Sequence, residues 1–283
     1  MYYGIIMAAV TMFAFQFLFN RQYEKQCGNT LRAAAVFSFG TSLVGFAILL
    51  ALNRFRLEFT LFSFLVALAA AVNNLLYSYC SIKALGKINL SLYSVFAMLG
   101  GMTLPFIAGI VFFREALTAG KLVCFALIAV SLFLTVEKGE NGAGKRYYFG
   151  VFLMNGMSGV YSKLFKSAPY PITGDRGYTM LIALCCAVIS TAILLIDRSE
   201  KIKLEKRAVG CMTGYGALCN IANYLLLIGL DHIPASAQYP MVTGGVMIVS
   251  TVICFFTDKK PTKKNIASVA LSFIGILALV FLP

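Results

Sequence analysis

Ten long apolar stretches, separated by short polar breaks, make up most of the sequence. They are Tyr3–Asn20, Leu31–Leu52, Leu61–Ala84, Leu90–Phe113, Leu122–Val136, Tyr147–Phe165, Tyr178–Ile196, Ala208–Leu230, Ala235–Phe256 and Ile266–Leu282. A transmembrane helix needs about 20 mostly apolar residues, whereas a transmembrane β-strand needs only about 10 in an alternating pattern. The continuous stretches therefore predict an all-α integral membrane protein with ten transmembrane helices. We expect the short fifth helix to begin near Ala119.

Composition supports this class and excludes others. Hydrophobic residues make up 60% of the chain and charged residues 12%, whereas a soluble domain has about 45–50% and about 25%. The high apolar content also excludes disorder. The net charge of +13 does not indicate nucleic-acid binding, because the 24 Lys and Arg residues lie almost entirely in the breaks, as in membrane proteins. The 8 cysteines are too sparse for a disulfide scaffold and serve mostly as apolar fillers.

The two halves of the chain resemble each other at a nearly constant offset. Tyr3-Gly4-Ile5 aligns with Phe149-Gly150-Val151, Gly100-Gly101 with Gly244-Gly245, and Ala126-Leu127 with Ala270-Leu271. Each half contains five apolar stretches, and because five is odd, the halves must cross the bilayer in opposite directions. We therefore predict two inverted five-helix repeats, residues 1–140 and 146–283, with a substrate site at their interface.

The third to fifth stretches and their counterparts carry recurring motifs. In the first half these are Leu75-Leu76-Tyr77-Ser78-Tyr79 leading to Ala84-Leu85, Ile88-Asn89-Leu90-Ser91-Leu92, and Phe112-Phe113-Arg114-Glu115-Ala116-Leu117-Thr118. In the second half they are Tyr224–Leu230, Ile233-Pro234-Ala235-Ser236-Ala237 and Pro240. This pattern resembles the EamA-type transporters of the drug/metabolite transporter superfamily. The resemblance implies ten helices, five plus five, that move small metabolites or drugs by alternating access.

The chain departs from this family pattern in two places. The segment Leu92–Leu99 has no counterpart of Pro240, and the second-half acidic turn is reduced to Thr257-Asp258-Lys259-Lys260-Pro261. These departures concern the substrate rather than the fold. In the first half we expect Glu115 to cap the start of the fifth helix, because a carboxylate is favourable at the positive end of a helix dipole.

Amide and phenol side chains occur within the stretches, whereas no Asp, Glu or Arg lies near the middle of one. Buried polar groups are costly in lipid, so we expect these side chains to face the bundle interior or a wet cavity. Asn73, Asn74 and Tyr77 share one face of the third helix, and the eighth helix has a matching set. We predict a cavity between the third, eighth, first, sixth and ninth helices. Its predicted substrate-binding residues are Asn73, Asn74, Tyr77, Asn155, Tyr161, Asn220, Asn223 and Tyr239.

The sequence thus predicts a monomeric plasma-membrane transporter of small polar or amphipathic metabolites. Amides both donate and accept hydrogen bonds, which suits a neutral or zwitterionic solute. One alternative is a choline-like organic-cation transporter in which tyrosines form a cage. Others are a lipid flippase or a non-transporting membrane protein whose amides only tie helices together. The sequence contains no nucleophile–base pair, phosphate loop or metal-ligand motif, so we expect no enzyme, metal or cofactor.

Lys and Arg are unequally distributed between the two sides of the predicted bundle. The odd-numbered breaks, such as 21–30 and 197–207, contain most of the 24 basic residues. Because basic residues favour the cytoplasmic side, the charge bias predicts that both termini lie outside. The family resemblance implies the opposite orientation, with both termini in the cytoplasm.

Overall fold

A computed structural model describes residues 2–85, 90–134, 145–197, 202, 204–255 and 263–282. Within these residues it contains ten α-helices and no β-strand, which confirms the predicted all-α class. The helices are α1 Tyr2–Cys27, α2 Leu31–Leu52, α3 Leu61–Leu85, α4 Leu90–Val111, α5 Ala119–Leu134, α6 Lys145–Lys166, α7 Asp175–Ile196, α8 Lys206–Leu230, α9 Ala235–Phe255 and α10 Lys263–Phe281. Five of them, α1, α2, α3, α7 and α8, are long and apolar enough to cross a membrane.

Each helix coincides with one predicted apolar stretch, and α5 begins at Ala119 as expected. The largest difference is α1, which continues past Asn20 to Cys27. Its polar extension is rich in Gln, Glu and Lys, which are good helix formers, so hydrophobicity alone marks only the apolar part of the helix. The Ile88-Asn89 part of the family-like motif, the turn Thr257–Pro261 and the predicted ends Val136 and Phe256 lie outside the described residues.

The outer surface of the bundle is apolar. On α3, leucines and valines that recur every three or four residues are exposed, with Leu61 67% exposed. The polar Asn73 of the same helix is only 4% exposed. A surface helix of a soluble protein has the reverse arrangement, with its polar face outward. An exposed apolar face and an enclosed polar one are therefore suited to surrounding lipid.

Helices of the first half pack mainly on helices of the second half. Six of these contacts form three equivalent couples. The contact of α1 with α8 corresponds to that of α6 with α3, the contact of α4 with α6 to that of α9 with α1, and the contact of α3 with α7 to that of α8 with α2. The remaining cross-pairs are α2 with α7, α4 with α9, α5 with α10 and α5 with α9. Exchanging each helix for the one five positions away in the other half leaves every pair unchanged except α5–α9, whose counterpart α10–α4 is not among the packed pairs of the described residues.

Glycines allow α4 and α6 to approach closely. A Cβ on Gly100 would overlap the carbonyl oxygen of Phe152, and one on Gly156 would lie 2.5 Å from the carbonyl oxygen of Gly100. Only glycine is accommodated at such a backbone approach. At the same crossing, the side-chain Nδ2 of Asn155 donates to the carbonyl oxygen of Ala97 at 2.6 Å. The crossing therefore fixes the position of Asn155.

Candidate functional site

A cavity of ≈ 210 Å³ lies within the helix bundle. Residues from α1 to α4 and from α6 to α9 form its wall, and α5 and α10 contribute none of the described wall residues. Pockets for drug-sized ligands have about 300–1,000 Å³, so this cavity suits a smaller solute. The structure adds α2, α4 and α7 to the five helices that the sequence placed around the cavity.

The structure brings most of the predicted site residues to this one cavity. Its wall includes Asn74, Tyr77, Asn155, Asn220, Asn223 and Tyr239. Asn73 and Tyr161 are not part of the wall. The buried Asn73 donates from Nδ2 to the carbonyl oxygen of Met154 at 2.8 Å and so ties α3 to α6. Tyr161 packs against the apolar core.

The amides of α6 and α8 are oriented by the backbone. Nδ2 of Asn220 donates to the carbonyl oxygen of Gly216 at 2.7 Å, and Nδ2 of Asn223 donates to that of Cys219 at 2.8 Å. A backbone carbonyl only accepts hydrogen bonds, so the NH₂ group of each amide must face it. The same reasoning fixes Asn155, whose NH₂ group faces Ala97.

Two tyrosines of the wall are held by hydrogen bonds. The hydroxyl of Tyr77 lies 2.9 Å from that of Tyr93, which lies 2.6 Å from Oγ of Ser81. The hydroxyl of Tyr239 donates to the carbonyl oxygen of Gly159 at 3.2 Å. A Cβ on Gly159 would lie 2.8 Å from Cζ of Tyr239, so this glycine makes room for the ring. These contacts fix the phenol rings at the cavity.

Several wall residues were not among the predicted substrate-binding residues. Tyr178 is 1% exposed and stacks on Phe165 with ring centroids 3.9 Å apart, and its hydroxyl has no hydrogen-bond partner among the described residues. Gln16 lines the cavity too, and its Oε1 is likewise unpartnered within the described part of the chain. On α2, Ser38 and Thr41 also line the cavity. Their helical spacing is a polar-face signal that could have identified this helix.

No charged side chain occurs among the described wall residues of the cavity. Within the described ranges there is also no group of three or more His, Cys, Asp or Glu side chains arranged to hold a metal ion. The wall therefore offers amide, hydroxyl and aromatic groups. Its chemistry is hydrogen bonding and ring packing.

Five charged side chains form a cluster at one end of the bundle, which we call the charged cluster: Glu115, Lys163, Lys166, Asp175 and Asp231. Nζ of Lys163 lies 2.8 Å from Oε1 of Glu115. Nζ of Lys166 lies 2.6 Å from carboxylate oxygens of both Asp175 and Asp231. The cluster therefore joins α6 to the α4–α5 connection, to the start of α7 and to the α8–α9 turn.

Glu115 caps a different helix from the one expected. Its carboxylate accepts hydrogen bonds from the backbone N–H groups of Ala235 and Ser236, at 2.9 and 2.8 Å. These residues begin α9, so the prediction that Glu115 caps the fifth helix was wrong. Sequence proximity suggested α5, but the fold brings the start of α9 to this carboxylate. Burial raises the pKa of Glu115, and hydrogen bonds from Lys163, Ser236 and Ala235 outweigh it, so the pKa lies below its ordinary value.

Comparison with known proteins identifies the fold but no family. No family model and no curated protein matches the chain. A solved structure described only as "Crystal structure of protein" is similar over 96% of this chain and 95% of its own. The TM-score is 0.68 and the sequence identity 17%. The similarity thus concerns the fold alone.

Proposed function

We propose that this protein is a membrane transporter that moves a small polar or amphipathic solute through the central cavity by alternating access. The observation that carries the proposal is a polar cavity enclosed by helices whose outer surface is apolar. Polar groups are costly at membrane depth, and those found there characteristically line solute pathways. Side chains from eight helices meet at this cavity, so a solute there contacts both halves of the chain.

We further propose that all ten helices cross the membrane as two inverted five-helix repeats. The helix pairing supports this, because all cross-pairs but α5–α9 are unchanged when each helix is exchanged for the one five positions away. The equivalent helices α4 and α9 each contain an internal proline, Pro105 and Pro240, and a glycine pair. Hydrophobic segments with Gly and Pro in corresponding positions of the two halves are typical of the binding sites of repeat-built transporters. The EamA resemblance implies the same arrangement.

Alternating access requires that one end of the cavity close while the other opens. We propose that the charged cluster closes its end of the bundle. Lys163 directly follows the wall residue Ser162, and the α9 start bound by Glu115 lies one helical turn before the wall residue Tyr239. The ion pair of Glu115 with Lys163 and the hydrogen bonds of Glu115 to the start of α9 connect the two halves, so these contacts must separate when the halves rock apart.

The distribution of Lys and Arg supports a plasma-membrane protein with both termini outside. In that orientation the charged cluster lies at the outer face, because its members occupy even-numbered connections and the adjacent helix ends. The orientation that the family resemblance implies would place the cluster at the cytoplasmic face.

Uptake by reconstituted vesicles tests the transport proposal. Vesicles preloaded with one solute from a panel of polyols, amides, amino acids and amines are mixed with a trace of the labelled solute, and counterflow is recorded. Asn74→Leu and Asn223→Leu should reduce counterflow, because each removes a polar group of the wall. The lipid-facing change Leu76→Ala on α3 should leave it intact.

Three results would contradict the proposal. They are the absence of counterflow for every solute, undiminished counterflow in both asparagine variants, and movement of labelled phospholipid in place of soluble solutes. The last result would favour the flippase alternative. Choline counterflow would favour the organic-cation alternative within the same transport mechanism.

A further inference from the structure

The amides of the cavity wall offer mainly acceptors to a solute. Nδ2 of Asn220 donates to two backbone carbonyl oxygens, and Nδ2 of Asn223 donates to the carbonyl oxygen and Sγ of Cys219, so both NH₂ groups are used fully. Nδ2 of Asn155 uses one of its two hydrogens on the carbonyl oxygen of Ala97. No described residue donates to their Oδ1 atoms, so these three oxygens and one N–H of Asn155 are left for hydrogen bonding. The buried Oε1 of Gln16 is also unpartnered among the described residues.

Three hydroxyl groups of the wall also use their hydrogens within the protein. Tyr239 donates to the carbonyl oxygen of Gly159 at 3.2 Å, Ser162 to that of Ser158 at 3.1 Å, and Thr179 to that of Asp175 at 2.9 Å. A hydroxyl has one donor and two acceptor lone pairs, so these oxygens can still accept. Asn74, Gln16 and Tyr178 keep hydrogens that a solute can use, and Asn155 keeps one. Acceptor positions outnumber these donors, because each wall oxygen has two lone pairs.

The wall also offers no charge to balance a charged solute. Within the described residues, neither a carboxylate nor an ammonium or guanidinium group lines the cavity. An ion taken from water into such a site loses its hydration without gaining a partner of opposite charge. An uncharged solute does not incur that cost.

We infer that the cavity selects an uncharged solute rich in O–H or N–H donors, either a small polyol or a urea-type amide. The inference rests on the proposed function and names its solute class. Each solute donor meets one of the free wall oxygens, so that few polar atoms of the wall or the solute lack a partner. Amino acids and amines are disfavoured by their charges, and donor-free analogues by the wall oxygens they leave unpaired.

Cysteine protection at the cavity tests this selectivity without requiring transport. Cys219 lines the cavity, and replacing the other seven of the 8 cysteines with alanine makes it a single reporter. The rate at which N-ethylmaleimide modifies Cys219 in the purified protein is measured with increasing solute. Xylitol and N-methylurea represent the two donor-rich sources. Their donor-free controls are penta-O-methylxylitol and tetramethylurea, and the charged probes are ethanolamine, choline and serine.

Xylitol or N-methylurea should slow the modification saturably, and the donor-free and charged probes should not. Gln16→Leu removes a wall amide whose Oε1 has no hydrogen-bond partner among the described residues, so folding should be retained. It should weaken protection by about 5- to 150-fold. The control Gln22→Leu, at an exposed position of the same helix, should leave protection unchanged.

The remaining outcomes distinguish a failure of the solute selectivity from a failure of the proposed transport function. Equal or better protection by a donor-free or charged probe would overturn the selectivity while leaving transport possible. Reaction of Cys219 with no protection by any donor-rich solute would overturn it as well. A Cys219 that never reacts would instead count against an accessible cavity, and so against the proposed function itself.

Discussion

The contact between Glu115 and Lys163 makes a quantitative prediction about stability. The two side chains are 8% and 14% exposed, and the carboxylate also accepts two hydrogen bonds from the start of α9. Glu115→Gln removes the charge but keeps one oxygen as an acceptor. Lys163 is then left nearly buried without its partner, which costs about 3–5 kcal/mol for a buried pair. A simple cap at a helix end would be worth only about 0.3–1 kcal/mol.

The free energy of unfolding is measured for the purified protein in mixed detergent micelles. The native chain is compared with Glu115→Gln, Lys163→Met and the double variant. The double variant should be less destabilised than the sum of the single variants, because it leaves no unpaired charge. Glu205→Gln is the matched control, since Glu205 precedes α8 without a side-chain capping bond, and it should change stability by less than about 0.5 kcal/mol. An equally small effect of Glu115→Gln, or strictly additive effects of the two single variants, would contradict a stabilising ion pair between Glu115 and Lys163.

Three further predictions concern pH, packing and orientation. Because the pKa of Glu115 is lowered in the folded protein, its contribution to stability is complete above the ordinary value of 4.5 and is lost as the pH falls through the folded pKa. The free energy of unfolding should therefore decrease in acid for the native chain and decrease less for Glu115→Gln. Gly100→Ala should destabilise the α4–α6 crossing by about 1–3 kcal/mol, whereas Gly210→Ala, which meets open space within α8, should stabilise by up to about 1 kcal/mol. Both glycine variants can be compared by thermal unfolding, and equal effects would contradict the packing. In a cysteine-free background, Tyr170→Cys should react with an impermeant maleimide in intact cells and Glu205→Cys should not, and the reverse pattern would support the family orientation.

The apolar runs were sufficient to predict the helices. A lipid-exposed helix must be apolar over most of its length, so hydropathy alone marks its extent. The polar end of α1 was missed because it owes its helicity to residue propensity and to packing of Tyr23, which hydropathy does not register.

The candidate site was harder to predict than the fold. Asn73 and Asn74 are adjacent in sequence, yet one ties α3 to α6 and the other lines the cavity. Spacing identifies a polar face, but it does not show which part of that face meets a neighbouring helix. Tyr178 was missed because its polar tip is a single atom at the start of an apolar stretch. Glu115 was assigned to the wrong helix because its capping partner is distant in sequence.

Alternating access predicts that the cavity is reached in turn from both sides of the membrane. The most direct measurement uses the single-cysteine protein with Cys219, in right-side-out and inside-out membrane vesicles, and a membrane-impermeant methanethiosulfonate reagent. Alternating access requires that Cys219 be modified from both sides, and that the cavity ligand slow the reaction from each. Modification of Cys219 from neither side, or from one side only, would contradict alternating access to the cavity.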